Sequence, residues 1–387
     1  MLVELVNTPR PYAWGDRFSI AAWQSRPATQ QPEAELWLGT HKGSESSVVR
    51  SEARKQLLSD FLTEQGLAPD LPFLVKVLAA AKPLSIQVHP NKKQAQSGYL
   101  EEQQAGVELS NLHRNYKDRS DKPEVIIAWS DQFEALAGFQ DRQGMEETLS
   151  AVVALVGSSR TTQSLRAALD DGCEGVIKWL LAQEAESRTL AHDMTQAFLR
   201  DSLAKGSEPV WNTWASVIPC FPEDPGIVVA SFLNYVSLRK GEALFIPAGI
   251  AHAYLKGFGL EVMAPSDNVV RGGLTDKHVD REELARLVVR EPYSPARIAP
   301  RDCGDSSESF EVPGVPFSIR RLTGRNTTSD CDPSGPVVIV IHEGMAELAW
   351  NDNAQSLVSG RSYLWVPKKD TPFTLRVDGS AYIVGPS

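Results

Sequence analysis

A chain of 387 residues exceeds one ordinary domain of roughly 100–200 residues, so two cores plus an insertion are expected. Its 42% hydrophobic and 23% charged residues, with nine Trp, exclude a disordered or low-complexity chain, because there is enough apolar surface to offset ordering entropy. A formal net charge of -10 argues against a nucleic-acid binder, which needs a cationic face to displace counterions, but leaves room for a local basic pocket that takes a small phosphate.

From the N-terminus, residues 1–12 have no cationic start and no apolar run before a cleavage site, so no signal peptide is expected there. Up to Phe139, β-rich runs at 73–78, 84–88 and 124–129 alternate with Pro, Gly and Asn, the texture of strands and turns. The most apolar stretch, 71–81, is interrupted by Lys76 and falls short of the about 20 residues a membrane span needs. Residues 144–205 carry Leu, Val, Ile and Phe at spacings of three and four without Pro, which predicts several short amphipathic helices inserted between β regions. Strand-and-turn texture is expected again after Pro209, through 228–262. A charged helix is predicted at 281–289, and the Pro-rich passage 291–300 reads as an interdomain connection. Five short strands are predicted beyond it, at 337–341, 346–350, 362–366, 373–377 and 381–384, a spacing that favours a sandwich or closed jelly roll. Cys173, Cys220, Cys303 and Cys331 lie far apart with no CxxC pair, so they are expected to be free cytosolic thiols rather than a disulfide framework or a zinc site.

The densest chemistry lies in Ser85-Ile86-Gln87-Val88-His89-Pro90, where Ser85, Gln87 and His89 alternate with apolar residues and share one face of a strand. Downstream, the Pro247-Ala248-Gly249 turn sits between two β segments and presents His252 inward from the second of them. A third element, Asp121-Lys122-Pro123-Glu124, opens an apolar strand with a carboxylate placed to project into a barrel mouth. Gln87, His89, Glu124 and His252 together offer an amide oxygen, two imidazoles and a carboxylate, a set suited to zinc with an open position. A neutral amide in place of a second carboxylate leaves the cation more positive and a better polariser of substrate oxygen.

The Pro-x-Gly-x-x-His turn with Gly241 six residues before the Pro resembles a cupin motif, and the chain as a whole resembles the type I mannose-6-phosphate isomerases. The segments that carry the resemblance are 11–15, 34–41, 73–78, 83–90, 122–124 and 259–277, in the family's order; the C-terminal part matches only in texture. The resemblance implies a mainly β fold of two cupin-type jelly rolls. Residues 1–140 and 209–295 would form the catalytic metal-binding domain, 141–208 a helical insertion, and 296–387 a metal-free cupin-like domain with His342 as a strand or turn residue. It implies one zinc held by Gln87, His89, Glu124 and His252, the same set reached from ligand chemistry, and a catalytic role for Arg271 within the signature 261–277.

The implied reaction interconverts mannose 6-phosphate and fructose 6-phosphate through an enediol-type intermediate. A fixed guanidinium such as Arg271 suits the developing negative charge. A proton carrier poised near working pH is also needed, and Lys122, Asp267 and Glu261 remain open as candidates. Lys76, Ser85, Arg271 and Lys277 match polar pocket residues that could meet the phosphate, and Trp14 and Glu35 match residues near the pocket, with core packing the expected role for Trp14. The expected partner is a small sugar phosphate, with no nucleic acid and no membrane, for a cytoplasmic monomer.

Two positions depart from the family pattern. Asp121 stands where many members have His before Lys-Pro-Glu, so a ring-opening role there does not transfer. Asp276 replaces the usual Pro before Lys277, which is expected to loosen the turn and add negative charge near the phosphate end. Rival readings are a metal-dependent redox cupin, which would want more His and iron or manganese, and a sugar-phosphate-binding cupin without turnover.

Overall fold

A computed structural model describes residues 1–51, 54–182, 184–200, 209–304, 307–368 and 371–387. The fold is mainly β. Strand His252–Met263 organises the half of the molecule that holds the candidate site. Its first part pairs antiparallel with Gln132–Phe139 and meets Ile86–Val88 through the His252/Gln87 pair. Its second part lies between Leu74–Ala80 and Glu124–Ala128. The register shifts between Tyr254 and Lys256, and a bulge of this kind bends and twists a strand enough to let it serve both walls of a curved sheet. Val270–Gly273 extends the Ile86–Val88 side, and Ala243–Ile246 followed by Ala296–Ile298 the Glu124–Ala128 side, completing a ten-stranded sheet with the pairs Glu35–Leu38/Leu74–Ala80 and Gln132–Phe139/Leu233–Arg239.

Leu74–Ala80 and Glu124–Ala128 are buried at every position, and their period of two divides them between two cores. Leu78, Ala80, Ile126 and Ala128 pack with Leu244, Ile246 and Tyr254 on one face. Val75, Val77, Val125 and Ile127 pack, on the other, with Val338, Val340, Leu364 and Val384 of a second sheet. That sheet runs Arg301–Asp302, Ser307–Phe310, Phe317–Cys331, Phe373–Pro386, Val337–Trp350, Ser362–Trp365, Leu2–Val6, Ser47–Ser51, Arg54–Leu57, with Asn353–Val358 paired to Val337–Trp350.

Sheet membership therefore crosses the boundaries expected from the sequence. Leu2–Val6, Ser47–Ser51 and Arg54–Leu57 join the C-terminal sheet, because Leu5 and Val48 complete the same apolar face as Leu364. The passage expected to be a connection contains Ala296–Ile298, which pairs with Ala243–Ile246. The short C-terminal strands fuse: 337–341 and 346–350 are parts of Val337–Trp350, which shifts register between Ile341 and Glu343, and 373–377 and 381–384 both belong to Phe373–Pro386.

Helices Arg142–Val156, Arg160–Asp170, Gly172–Ala182 and Glu184–Arg200 occupy the predicted helical stretch 144–205, whose end at 201–205 lies outside the described residues. Helix also continues where strand texture was expected. Val210–Val217 and Gly226–Ser231 are helical, with Val210, Trp214 and Val217 on one face against the helical core. Lys92–Gln104, in the expected strand-and-turn region, is a helix opened by a capping box: Gln94 N–H donates to the Asn91 side chain at 3.0 Å, and Asn91 N–H to the Gln94 side chain at 2.9 Å. The charged helix is Arg281–Leu287. Among the described residues no helix is long and apolar enough to cross a membrane.

Candidate metal centre and active-site cleft

Glu124 and His252 are each the first residue of a strand, and His89 follows the last residue of Ile86–Val88. The turn before His252 reverses at Gly249, whose φ of 82° lies in the left-handed region that glycine adopts without strain. Gly249 N–H donates to the His89 carbonyl at 2.8 Å, so the two imidazole-bearing segments are tied together by main chain. Arg271 is the cross-strand partner of Gln87, which in turn pairs with His252.

His89 Nδ1 is 2.8 Å from the Asn268 carbonyl and His252 Nδ1 is 2.9 Å from the Ile250 carbonyl. A carbonyl only accepts, so both Nδ1 atoms carry hydrogen, and the neutral form of either ring presents its lone pair at Nε2. Those lone pairs stand 3.3 Å from Glu124 Oε1 and 3.3 Å from Glu124 Oε2. All three residues are buried, and His89 Nε2 has no hydrogen-bond partner among the described residues. Burial, reinforced by the Lys122 ammonium, pushes His89 down to about 4, which keeps it neutral. Burial alone would raise the Glu124 carboxyl, but the Lys122 ammonium, with Nζ at 3.1 Å, holds it well below the usual carboxylate range. Two lone pairs converging on an anion in a dry site repel it, and a divalent cation among them turns repulsion into coordination. The ligand atoms of His89, Glu124 and His252 lie within 4.8 Å of one another, and this N/N/O set fits zinc.

The centre opens into a cleft of about 720 Å³. The structure brings Gln87, Ser85, Trp14, Glu35, Lys76, Lys122, Glu261, Asp267, Arg271 and Lys277 to the cleft wall together with Glu124 and His252. Their settings differ. Lys122 is buried beside the centre. Lys76 is also buried, with its ammonium 3.0 Å from Glu261 and 3.7 Å from Glu35; burial alone would lower it, but these carboxylates raise it above its ordinary value. Its charge is thus already matched inside the protein. Burial raises Glu261, and Glu124 and Glu35 add to the rise against the pull of Lys76. Glu35 accepts from Trp37 Nε1 at 2.7 Å. Arg271 and Lys277 are lowered chiefly by burial, Lys277 also by Arg271. Trp14 is half-buried, stacks on Tyr12 at 5.7 Å and packs on the barrel core while facing the cleft, so it does both things.

Other residues in the cleft wall or behind it had not been singled out. Tyr254 lies two positions after His252 on the same strand, and its buried hydroxyl has no hydrogen-bond partner among the described residues; the period of two would have found it. His41 accepts from Gly43 N–H at Nδ1 over 3.1 Å and points Nε2 at Asp267 over 3.4 Å. Asp118 accepts from Ser266 Oγ and the Asp267 and Asn268 nitrogens, holding the loop whose Asn268 carbonyl orients His89. Nothing local in the sequence announces that role.

Residues 2–142 match the family model described as phosphomannose isomerase type I, catalytic domain. The chain is 32% identical over 391 aligned residues to the mannose-6-phosphate isomerase of Escherichia coli K12, covering 97% of each. It is 30% identical to the human mannose-6-phosphate isomerase, over 73% of this chain and 72% of that one. The chain belongs to the type I phosphomannose isomerase family. The crystal structure of mannose 6-phosphate isomerase from Salmonella typhimurium bound to fructose 6-phosphate and zinc superposes with a TM-score of 0.87 at 31% identity, covering 100% of this chain and 99% of that one.

Against the pattern expected for a phosphomannose isomerase, Asp121 is half-buried and absent from the cleft wall, whereas Asp276 is exposed on it next to Lys277. His342 lies far along the chain on Val337–Trp350, stacked on Trp129 at 4.1 Å where the two sheets meet.

Proposed function

We propose that this chain is a zinc-dependent aldose-ketose isomerase that interconverts D-mannose 6-phosphate and D-fructose 6-phosphate through an enediol-type intermediate, working as a cytoplasmic monomer. The observation that carries this reading is the pair of bare imidazole lone pairs facing the two oxygens of Glu124 at the head of a cleft that also holds Arg271 and Lys277. His89, Glu124 and His252, with the Gln87 amide, are the residues assigned to the metal. When bound, the zinc supplies a Lewis acid that polarises substrate oxygen.

The remaining roles fall to side chains. Arg271, which stays charged because no protein environment deprotonates a guanidinium, is assigned to the negative charge that builds on the enediol oxygens. Lys122 is the proton-transfer candidate nearest the centre, buried with its amine 3.1 Å from Glu124. Glu261 is occupied by Lys76, and Asp267 lies at the half-exposed mouth beside His41. Lys277 is assigned to the phosphate, with Ser85 facing the same cleft; the paired charge of Lys76 makes it a framework residue instead. All these groups come from 1–140 and 209–295, the stretches we take to supply the catalytic unit even though Leu2–Val6, Ser47–Ser51 and Arg54–Leu57 pair into the sheet of 296–387; that last stretch is taken as a metal-free unit and 141–208 as a helical insertion.

A coupled assay for fructose 6-phosphate formed from mannose 6-phosphate, run before and after chelation, tests the proposal. Turnover that vanishes on chelation and returns with zinc is expected. No turnover by the zinc-loaded protein would refute it.

A further inference from the structure

The segment that carries Arg271 and Lys277 is held from outside the barrel. Asp224, in the turn between helices Val210–Val217 and Gly226–Ser231, accepts from Gly226 N–H at 2.7 Å and Leu274 N–H at 3.1 Å through Oδ1, and from Thr275 N–H at 3.1 Å through Oδ2. Leu274 has a φ of 55°, a left-handed conformation costly for a side-chain-bearing residue, and is 1% exposed within the helical core. Glu223, on the other side of the contact, also has a positive φ, 67°, and its N–H donates to buried Thr195 of helix Glu184–Arg200 at 3.0 Å. The backbones approach so closely that a Cβ on Gly226 would lie 2.5 Å from Leu274 N and 2.8 Å from Gly273 Cα. Phe221, three residues before Asp224, lines the cleft itself.

Strained backbone persists only where its surroundings hold it. We infer that Asp224 is a positioning residue for the isomerase: its carboxylate staples the helical region to the Arg271–Lys277 segment and fixes the phosphate-binding end of the cleft. The inference rests on the assignment of Lys277 to the phosphate and of Arg271 to the enediol charge. Without the staple, Leu274 and Thr275 relax and both cationic groups leave the positions that fit a sugar phosphate.

The test uses full-length, zinc-loaded Asp224→Asn and Asp224→Ala. Asn keeps Oδ1 but turns an NH2 group toward Thr275 N–H. Gly226→Ala presses on the same contact with Asp224 intact and serves if either variant fails to fold. The KM for mannose 6-phosphate and the inhibition constant of inorganic phosphate are expected to rise together by about tenfold, at unchanged zinc per chain, since small misplacements of binding groups have effects of this order. A merely destabilising change lowers the active fraction and hence kcat, and moves neither constant. Folded variants with both constants within about twofold of the parent overturn the staple. If Lys277→Ala itself leaves KM unchanged, the phosphate assignment fails; if it raises KM while the Asp224 variants do not, the staple alone fails.

Discussion

Lys76 and Glu261 are direct cross-strand partners whose side chains close a 3.0 Å ion pair, with only 8% and 4% of those side chains exposed. Glu35 approaches the same ammonium from the strand on the other side, and the ring of Trp37 lies 5.0 Å away. Removing the amine strands two buried carboxylates. Lys76→Met is expected to cost about 3 kcal/mol of stability, read from urea unfolding, because breaking a buried pair leaves uncompensated charge. Adding Glu261→Gln should restore part of that loss; an unfolding midpoint unmoved by Lys76→Met would show that the pair contributes nothing.

Arg271 and the metal ligands should separate in their effects. Arg271→Ala is expected to lower kcat by roughly 10²–10³-fold, the usual effect of removing one group aimed at developing charge, with zinc per chain unchanged. His252→Ala should lower both zinc content and turnover. Equal metal loss in the two variants, measured by elemental analysis, would contradict the division of roles.

His342 gives the fold an acid sensitivity that has nothing to do with catalysis. Burial against Trp129 and Tyr382, with Lys240 and Arg321 adding to it and Glu343 opposing, pushes it from 6.5 down to about 4. Between those values the unfolded chain binds a proton at this position that the folded chain refuses, so stability falls as pH drops from 7 toward 4 by roughly 2–3 kcal/mol from this group. His342→Phe, which keeps a ring on Trp129, should flatten that part of the loss in thermal unfolding across the same range. Parallel pH curves for the two proteins would rule the effect out.

The grouping of His89, Glu124 and His252 into one candidate centre was legible because the signals were local. A strand that alternates Ser85, Gln87 and His89, a carboxylate behind Pro123, and a Pro-x-Gly turn before His252 each point side chains inward by period or by turn geometry. What escaped depends on partners remote in the chain. The two carboxylate partners of Lys76, a candidate phosphate donor, were hidden because they arrive from the strands on either side. Leu2–Val6 was invisible as part of the C-terminal sheet because only its antiparallel pairing with Ser362–Trp365 places it there. Val210–Val217 sits beyond Pro209, a residue that reads as punctuation but stands here at the helix N-cap. Phe317–Cys331 hides in a polar run because exposed residues alternate with buried Phe317 and Ile319 at one end and with buried Thr327, Ser329 and Cys331 at the other.

The coordination of a cation by His89, Glu124 and His252 is most directly tested by titrating zinc into chelated protein while following fructose 6-phosphate formation. Activity should rise in proportion to added zinc and level off at one equivalent per chain, and Glu124→Ala should show neither the rise nor the bound metal. Full turnover in the metal-free protein, or a Glu124→Ala protein that still binds zinc and turns over normally, would contradict the account.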